Sequence, residues 1–221
     1  MAFLLENAFN GSTFVNESSN YPLLRMFTSF KDKSDVPLIE QPHVEEPWAV
    51  SSPSAVSMNQ AGVDDDNWLY MSAVCYLFGL HIHQHTGKPV GLVNTNWGGT
   101  PVEFWMSKDA LDTCEPNATN EAGGAYNGMI KPLLNMTIYG AIWYQGEANS
   151  GDPLSELDFQ GLPLSRYGCH FPAMIEDWRQ KFNEGSLGET VDPYFGFVQL
   201  ASWESDIHPA SVRWGQLAGM L

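Results

Sequence analysis

The stretch GAIWYQGEANS (Gly140–Ser150) begins as a short apolar run of strand character and closes on Gln145, Gly146, Glu147 and Asn149. A strand that only filled a core would end in ordinary turn residues. Gln145 and Asn149 can donate amide hydrogens, Glu147 can accept or orient, and the intervening glycine frees the backbone to turn. Two readings are open for this segment alone. One is a polar loop that satisfies its own backbone. The other is a set of donors gathered to hold an oxygen that becomes negative during a reaction.

Outward from this point, three further apolar runs have strand character: Leu23–Thr28, Val90–Thr95 and Phe195–Leu200, beside Ile138–Tyr144 itself. Each is short and nearly continuous in its apolar residues, as expected for strands covered on both faces. Helical spacing occupies the intervals, in Trp68–His85, in AYNGMIKPLLN around Pro132, and in Phe171–Gly185, where a proline stands in the expected first turn and glycine at the end. The Lys31–Asp66 interval reads as a long surface connection with one short strand around Trp48 and Val50. Alternating strands and helices predict an α/β fold with a mostly parallel sheet and helices on both faces. Ligands of such sheets bind beyond the carboxyl ends of the strands.

A second strand ends unusually. In GLVNTNWGGTPVEFW (Gly91–Trp105), Gly98 and Gly99 allow a sharp turn and a close backbone N–H. Thr100 is placed to cap a helix with Pro101 in its first position and Glu103 in its third. The plain reading is a capped strand-to-helix turn.

The formal charge of −16, from 26 acidic against 10 basic residues, disfavours nucleic acid or an anionic membrane as the main partner. No apolar run reaches the length of about 18 residues needed to span a bilayer. Three separated cysteines without a CxxC pair give no zinc or redox motif, and one disulfide with a leftover thiol stays open. His81, His83 and His85 have a metal-like look. Only the first and last share a helix face, so a solvated helix end is the better reading. Sequons at Asn10, Asn16, Asn117 and Asn135 favour a secreted or lysosomal history.

Taken together, the two strand ends resemble the sialate O-acetylesterase family, a branch of the SGNH-type esterases. The resemblance extends through YMSAVCYLFG (Tyr70–Gly79), the YNGMIKPLLN segment and CHFPAMIEDWRQKF. WGGT-x-x-E-x-W and WYQGE-x-N carry most of it. It implies a three-layer, flavodoxin-like SGNH fold, with residues 1–221 a partial esterase domain incomplete at both ends. It also implies removal of O-acetyl groups from sialic acids or sialoglycans by a serine esterase with no cofactor. Gly98 or Gly99 would then offer an oxyanion N–H, and Gln145, Gly146, Glu147 and Asn149 would form the facing block.

Two departures matter. The family's G-Q-S-N-M nucleophile segment is absent, and the family's continuation beyond that segment resembles AFLLENAFNGS. The resemblance therefore puts the serine just upstream of Met1. The family's Asp-x-x-His pair is also absent. Asp206 and His208 are separated by one residue instead of two, and a loop beside Pro209 is the alternative role for His208. Val212-Arg213-Trp214 resembles a segment that precedes the family's pair, which would place that pair beyond Leu221. These residues alone are accordingly expected to show negligible turnover. An acetylxylan-type esterase, a catalytically dead sialoglycan-binding remnant and a fragment that does not fold stably are the competing expectations.

Overall fold

The computed structural model describes residues 3–57, 71–116, 123–150, 156–157, 163–164, 166–201 and 209–218. It is a mixed α/β structure whose chain divides into two compact units, Met1–Asp32 with Gln41–Gly98, and Lys33–Glu40 with Gly99–Leu221.

The first unit carries α1 (Gly11–Glu17), β1 (Leu24–Ser29), β2 (Val44–Val50), α2 (Pro53–Val56), α3 (Ala73–Thr86) and β3 (Val90–Asn94). Its sheet has the order β2-β1-β3. β1 runs parallel to β3 from Leu24 opposite Val90 to Thr28 opposite Asn94, and antiparallel to β2. Leu24 and Met26 alternate inward from β1 and meet Leu5, Val56, Met71, Tyr76, Leu80 and Leu92 in one buried cluster. Gly79 lets α3 approach β3 closely, since a Cβ there would stand 2.3 Å from Leu92 Cδ2.

The strands are not covered on both faces as their apolar runs predict. Arg25 and Gly91 are exposed, and Trp48 lies 52% exposed beside Phe27. The connection expected over Lys31–Asp66 contains a full edge strand, β2, which accommodates Pro47 because an edge residue has no ladder bond to give on its open side. α3 is described from Ala73, and Trp68–Tyr70 of its predicted start lie outside the described residues. It stops at Gly87, whose φ of 66° carries its N–H back to the His83 carbonyl. His81 and His85 are exposed near this end, and His83 Nδ1 lies 2.6 Å from the Lys88 carbonyl. Among the described residues, no three His, Cys, Asp or Glu side chains group to hold a metal, and no helix is long and apolar enough to cross a membrane.

The second unit contains α4 (Lys108–Cys114), β4 (Gly140–Trp143), β5 (Glu156–Leu157), β6 (Pro163–Leu164), α5 (Tyr167–Gly185), β7 (Tyr194–Phe197) and α6 (Pro209–Ala218). β4 and β7 pair in parallel from Gly140 opposite Tyr194 to Trp143 opposite Phe197. Trp143 is the centre of an aromatic core, with ring contacts to Trp105, Phe171, Trp178 and Phe195. α5 supplies much of it from one face, through Tyr167, Phe171, Met174, Ile175, Trp178 and Phe182. That helix starts a turn before the predicted Phe171, so Pro172 sits inside it instead of in its first turn. The helix expected over AYNGMIKPLLN is a π turn at Tyr126–Ile130 followed by a 3-10 turn at Lys131–Leu133, where Pro132 has no N–H to continue the ladder. Cys114 and Cys169 are disulfide-bonded, joining the end of α4 to the start of α5, and Cys75 is the free thiol.

Candidate active site

The β3 end passes into the Gly98–Gly99 turn. Both glycines are exposed, and nothing lies within 4 Å of a Cβ built on either. Gly99 has φ +77°, a conformation that side chains rarely adopt. Gly98 closes the first unit. Gly99 opens the portion of the second unit in which the other candidate residues lie.

Thr100 does not cap the following turn. Its Oγ1 accepts from Trp105 Nε1 at 2.9 Å, while Pro101, in an extended conformation, occupies the cap position of a 3-10 turn over Val102–Trp105. The first N–H groups of such a turn have no partner within it. Asn149 provides one from the other strand end: its Oδ1 accepts from Val102 N at 2.9 Å and from Gln145 Nε2 at 2.8 Å. The same Gln145 Nε2 also donates to the Thr100 carbonyl at 3.1 Å. Two of the expected donors therefore brace the Thr100–Trp105 turn against the Gln145–Asn149 turn.

Behind β4, Gly146 has φ 135°, and its carbonyl accepts from Asn149 N and Ser150 Oγ, each at 3.1 Å. This closes the Glu147–Asn149 turn and buries Asn149 to 1% exposure. Asn149 Nδ2 points to Glu103, 3.0 Å from Oε2 and 3.3 Å from Oε1. Burial pushes the Glu103 carboxyl upward, but contacts from His170, from Asn149 and from its own backbone outweigh it. The net position is below the ordinary carboxylate value.

Several members of this network carry no signal in the sequence. Tyr167 OH donates to Gln145 Oε1 at 3.0 Å and accepts from Trp143 Nε1 at 3.2 Å. Burial, above all, raises that phenol far beyond its usual value, so it serves as a neutral hydrogen-bonding group. Gln216, fully buried on α6, donates to the carbonyls of Gln145 and Val198 and accepts from Leu200 N at 3.1 Å. It ties the chain after β4 to the chain after β7. The sequence marks Glu103 as a capping partner and as the acid of the WGGT-x-x-E-x-W motif, and His170 only as a member of the CHFPAMIEDWRQKF segment, ahead of the predicted helix.

Thus Gly99, Gln145, Gly146 and Asn149 are joined directly or through Thr100, and Glu147 is half-buried in the same turn. Asp206, His208 and Asn117 lie outside the described residues. Asn10, Asn16 and Asn135 are exposed.

The family model described as "Carbohydrate esterase, sialic acid-specific acetylesterase" matches residues 49–216. Sialate O-acetylesterase from Mus musculus is 33% identical over 99% of this chain and 45% of its own length. The Homo sapiens protein of the same name is 33% identical over 95% of this chain and 40% of its own. A crystal structure of a carbohydrate acetylesterase from Xanthomonas citri superposes with a TM-score of 0.73 at 28% identity, covering 100% of this chain and 45% of that one. The chain thus spans less than half the length of these relatives. A match of this extent, containing both strand-end turns, means that the chain belongs to the carbohydrate esterase family of sialic acid-specific acetylesterases.

Proposed function

We propose that the full-length protein hydrolyses O-acetyl esters on sialic acids, and that these residues supply the Gly98–Gly99 and Gln145–Asn149 strand-end turns of its active site within a three-layer SGNH-type domain. In serine acyl transfer, attack on the acetyl carbonyl turns its oxygen into an oxyanion that needs preorganised donors. The Gly99 backbone N–H, in an exposed turn with open space around it, is the donor assigned to that oxygen, beside the carboxamide turn of Gln145–Asn149. The observation that carries this reading is the Asn149 side chain. A single buried carboxamide holds Val102 N, Gln145 and Glu103 together, which fixes the two turns in register before substrate arrives. Pre-fixed geometry of this kind removes reorganisation from the reaction step.

Acetate release measured with the full-length reading frame tests the proposal. O-acetylated sialic acid should be cleaved in preference to acetylated xylan. Asn149→Ala should lower kcat by about 10², as for a small misplacement of the reacting groups that its carboxamide holds in register. Cleavage that Asn149→Ala leaves untouched, or glycan binding with no hydrolysis, would overturn it. Export to the lysosome or cell exterior is part of the same proposal, supported by the Cys114–Cys169 disulfide and by exposed sequons at Asn10, Asn16 and Asn135. A mobility shift on glycosidase treatment is the expected result, and a protein without glycans would remove the sequon argument.

A further inference from the structure

His170 is fully buried in the first turn of α5. Its Nδ1 lies 3.0 Å from Glu103 Oε1, and its Nε2 lies 3.3 Å from Glu115 Oε1. Each ring nitrogen thus faces a carboxylate oxygen at close range, one on either side of the imidazole. Glu115 continues outward to Arg166 at 3.0 Å. The disulfided residues, Cys114 and Cys169, directly precede Glu115 and His170 in the chain. A covalent link therefore holds the second carboxylate beside the imidazole.

As a structural staple this arrangement is poorly chosen. Well-packed apolar side chains often stabilise a core as well as buried charged groups, or better. What the arrangement does achieve is directional. Glu103 receives the imidazole on one side and the Asn149 carboxamide on the other, and Asn149 in turn holds Val102 N and Gln145. We infer that His170 is a positioning residue for deacetylation, acting through Glu103 to fix the Asn149 carboxamide, with Glu115 and the Cys114–Cys169 link holding the ring. This rests on the esterase reading above and assigns His170 no contact with substrate.

Among the charged and titratable groups, His170 from α5 faces Glu103 directly, Glu115 with its partner Arg166 lies on the far side of His170, and Tyr167 senses both Glu103 and Glu147. Burial drives the Glu103 carboxyl up, and His170 gives the leading contribution in the opposite direction. Without that contribution, Glu103 must titrate at higher pH.

Two substitutions of similar size separate positioning from mere packing. His170→Asn keeps an N–H on the atom equivalent to Nδ1, facing Glu103. His170→Gln keeps one only at the Nε2 position, facing Glu115. In the full-length protein, kcat on O-acetylated sialic acid should fall by about 10² in His170→Gln, as for a small misplacement of a reacting group. KM should change little, and His170→Asn should recover much of the loss. The 13C-labelled Glu103 carboxyl should titrate higher in His170→Gln than in wild type and stay near wild type in His170→Asn. Equal kcat losses in both variants, or a Glu103 titration that neither one moves, would overturn the inference. If the wild-type protein releases no acetate, the esterase reading fails, and the Glu103 titration still decides whether His170 governs Glu103.

Discussion

Asn149 Nδ2 donates to the Glu103 carboxylate, 3.0 Å from Oε2 and 3.3 Å from Oε1, across 46 positions of sequence. The carboxamide thereby presents its oxygen to Val102 N and Gln145 Nε2. One buried side chain joins a strand-end turn to the turn facing it, and a carboxylate sets which way that side chain points.

Asn149→Asp should therefore reverse the pH response of this region. The substitution places a second carboxylate against Glu103 and removes the donor, and two such groups cannot both ionise cheaply. Protonation of one restores an O–H donor. The variant should lose stability at pH 7 and recover part of it on acidification towards pH 5, as read from urea midpoints across that range. Asn149→Ala, which leaves buried donors unpaired, should cost about 1–3 kcal/mol for each group so stranded at any of these pH values.

Glu46 gives a prediction of opposite origin in the first unit. Burial, and then the neighbouring Glu45, raise its carboxyl from 4.5 to about 7. The folded state thus holds its proton more tightly than the unfolded state does. Its contribution to stability is fully present below pH 4.5 and is lost as pH rises to about 7. Glu46→Gln cannot ionise. It should match wild type in melting temperature below pH 4.5 and exceed it above pH 7, and identical curves at pH 8 would count against the argument.

How much of this is legible in the sequence depends on where each residue's partners come from. The strand ends are legible because a strand breaking into Gln145, Gly146, Glu147 and Asn149 violates the chemistry of its own segment. β3 and β4 are legible for a similar local reason, their compact apolar runs. β2 is legible only at its end, where a short strand is expected around Trp48 and Val50, since the rest of VEEPWAV shows neither alternation nor a continuous apolar run, and its proline argues against a longer strand until its edge position is known. The bridging roles of Glu103, His170 and Gln216 are hidden for a third reason. Each residue is ordinary within its own helix or turn, and gains its role from elements distant in sequence. The one hint is weak: a cysteine directly precedes both Glu115 and His170, so a disulfide between them would bring that carboxylate and imidazole together.

Gly146 and Gly98 should respond very differently to alanine. Gly146 has φ 135°, and a Cβ there would stand 2.8 Å from both Leu200 Cδ1 and Val212 Cγ1, whose residues are buried. The backbone conformation and the overpacking each cost about 1–3 kcal/mol, so Gly146→Ala should lower stability by at least that range. Gly98 is exposed with open space at its Cβ, and Gly98→Ala should stay within about 0.5 kcal/mol of wild type. Denaturant melts of the two variants side by side check the contrast. Equal losses would mean that the turn after β4 is not held as described.

The Cys114–Cys169 bond closes a loop across 55 positions that contains β4 and the Gln145–Asn149 turn. Restricting an unfolded loop of that length is worth about 4 kcal/mol on the chain-entropy model. The bond also joins the residues immediately before Glu115 and His170, so its loss should be felt at Glu103 as well as in the melt. Cys114→Ser with Cys169→Ser should lower the free energy of unfolding by roughly that amount. The Glu103 carboxyl should shift upward in the same variant, because the imidazole beside it is no longer held in place. A stability loss with no change at Glu103 would make the disulfide a global staple only. A shift in Glu103 accompanying the loss would make it part of the machinery that orients Asn149.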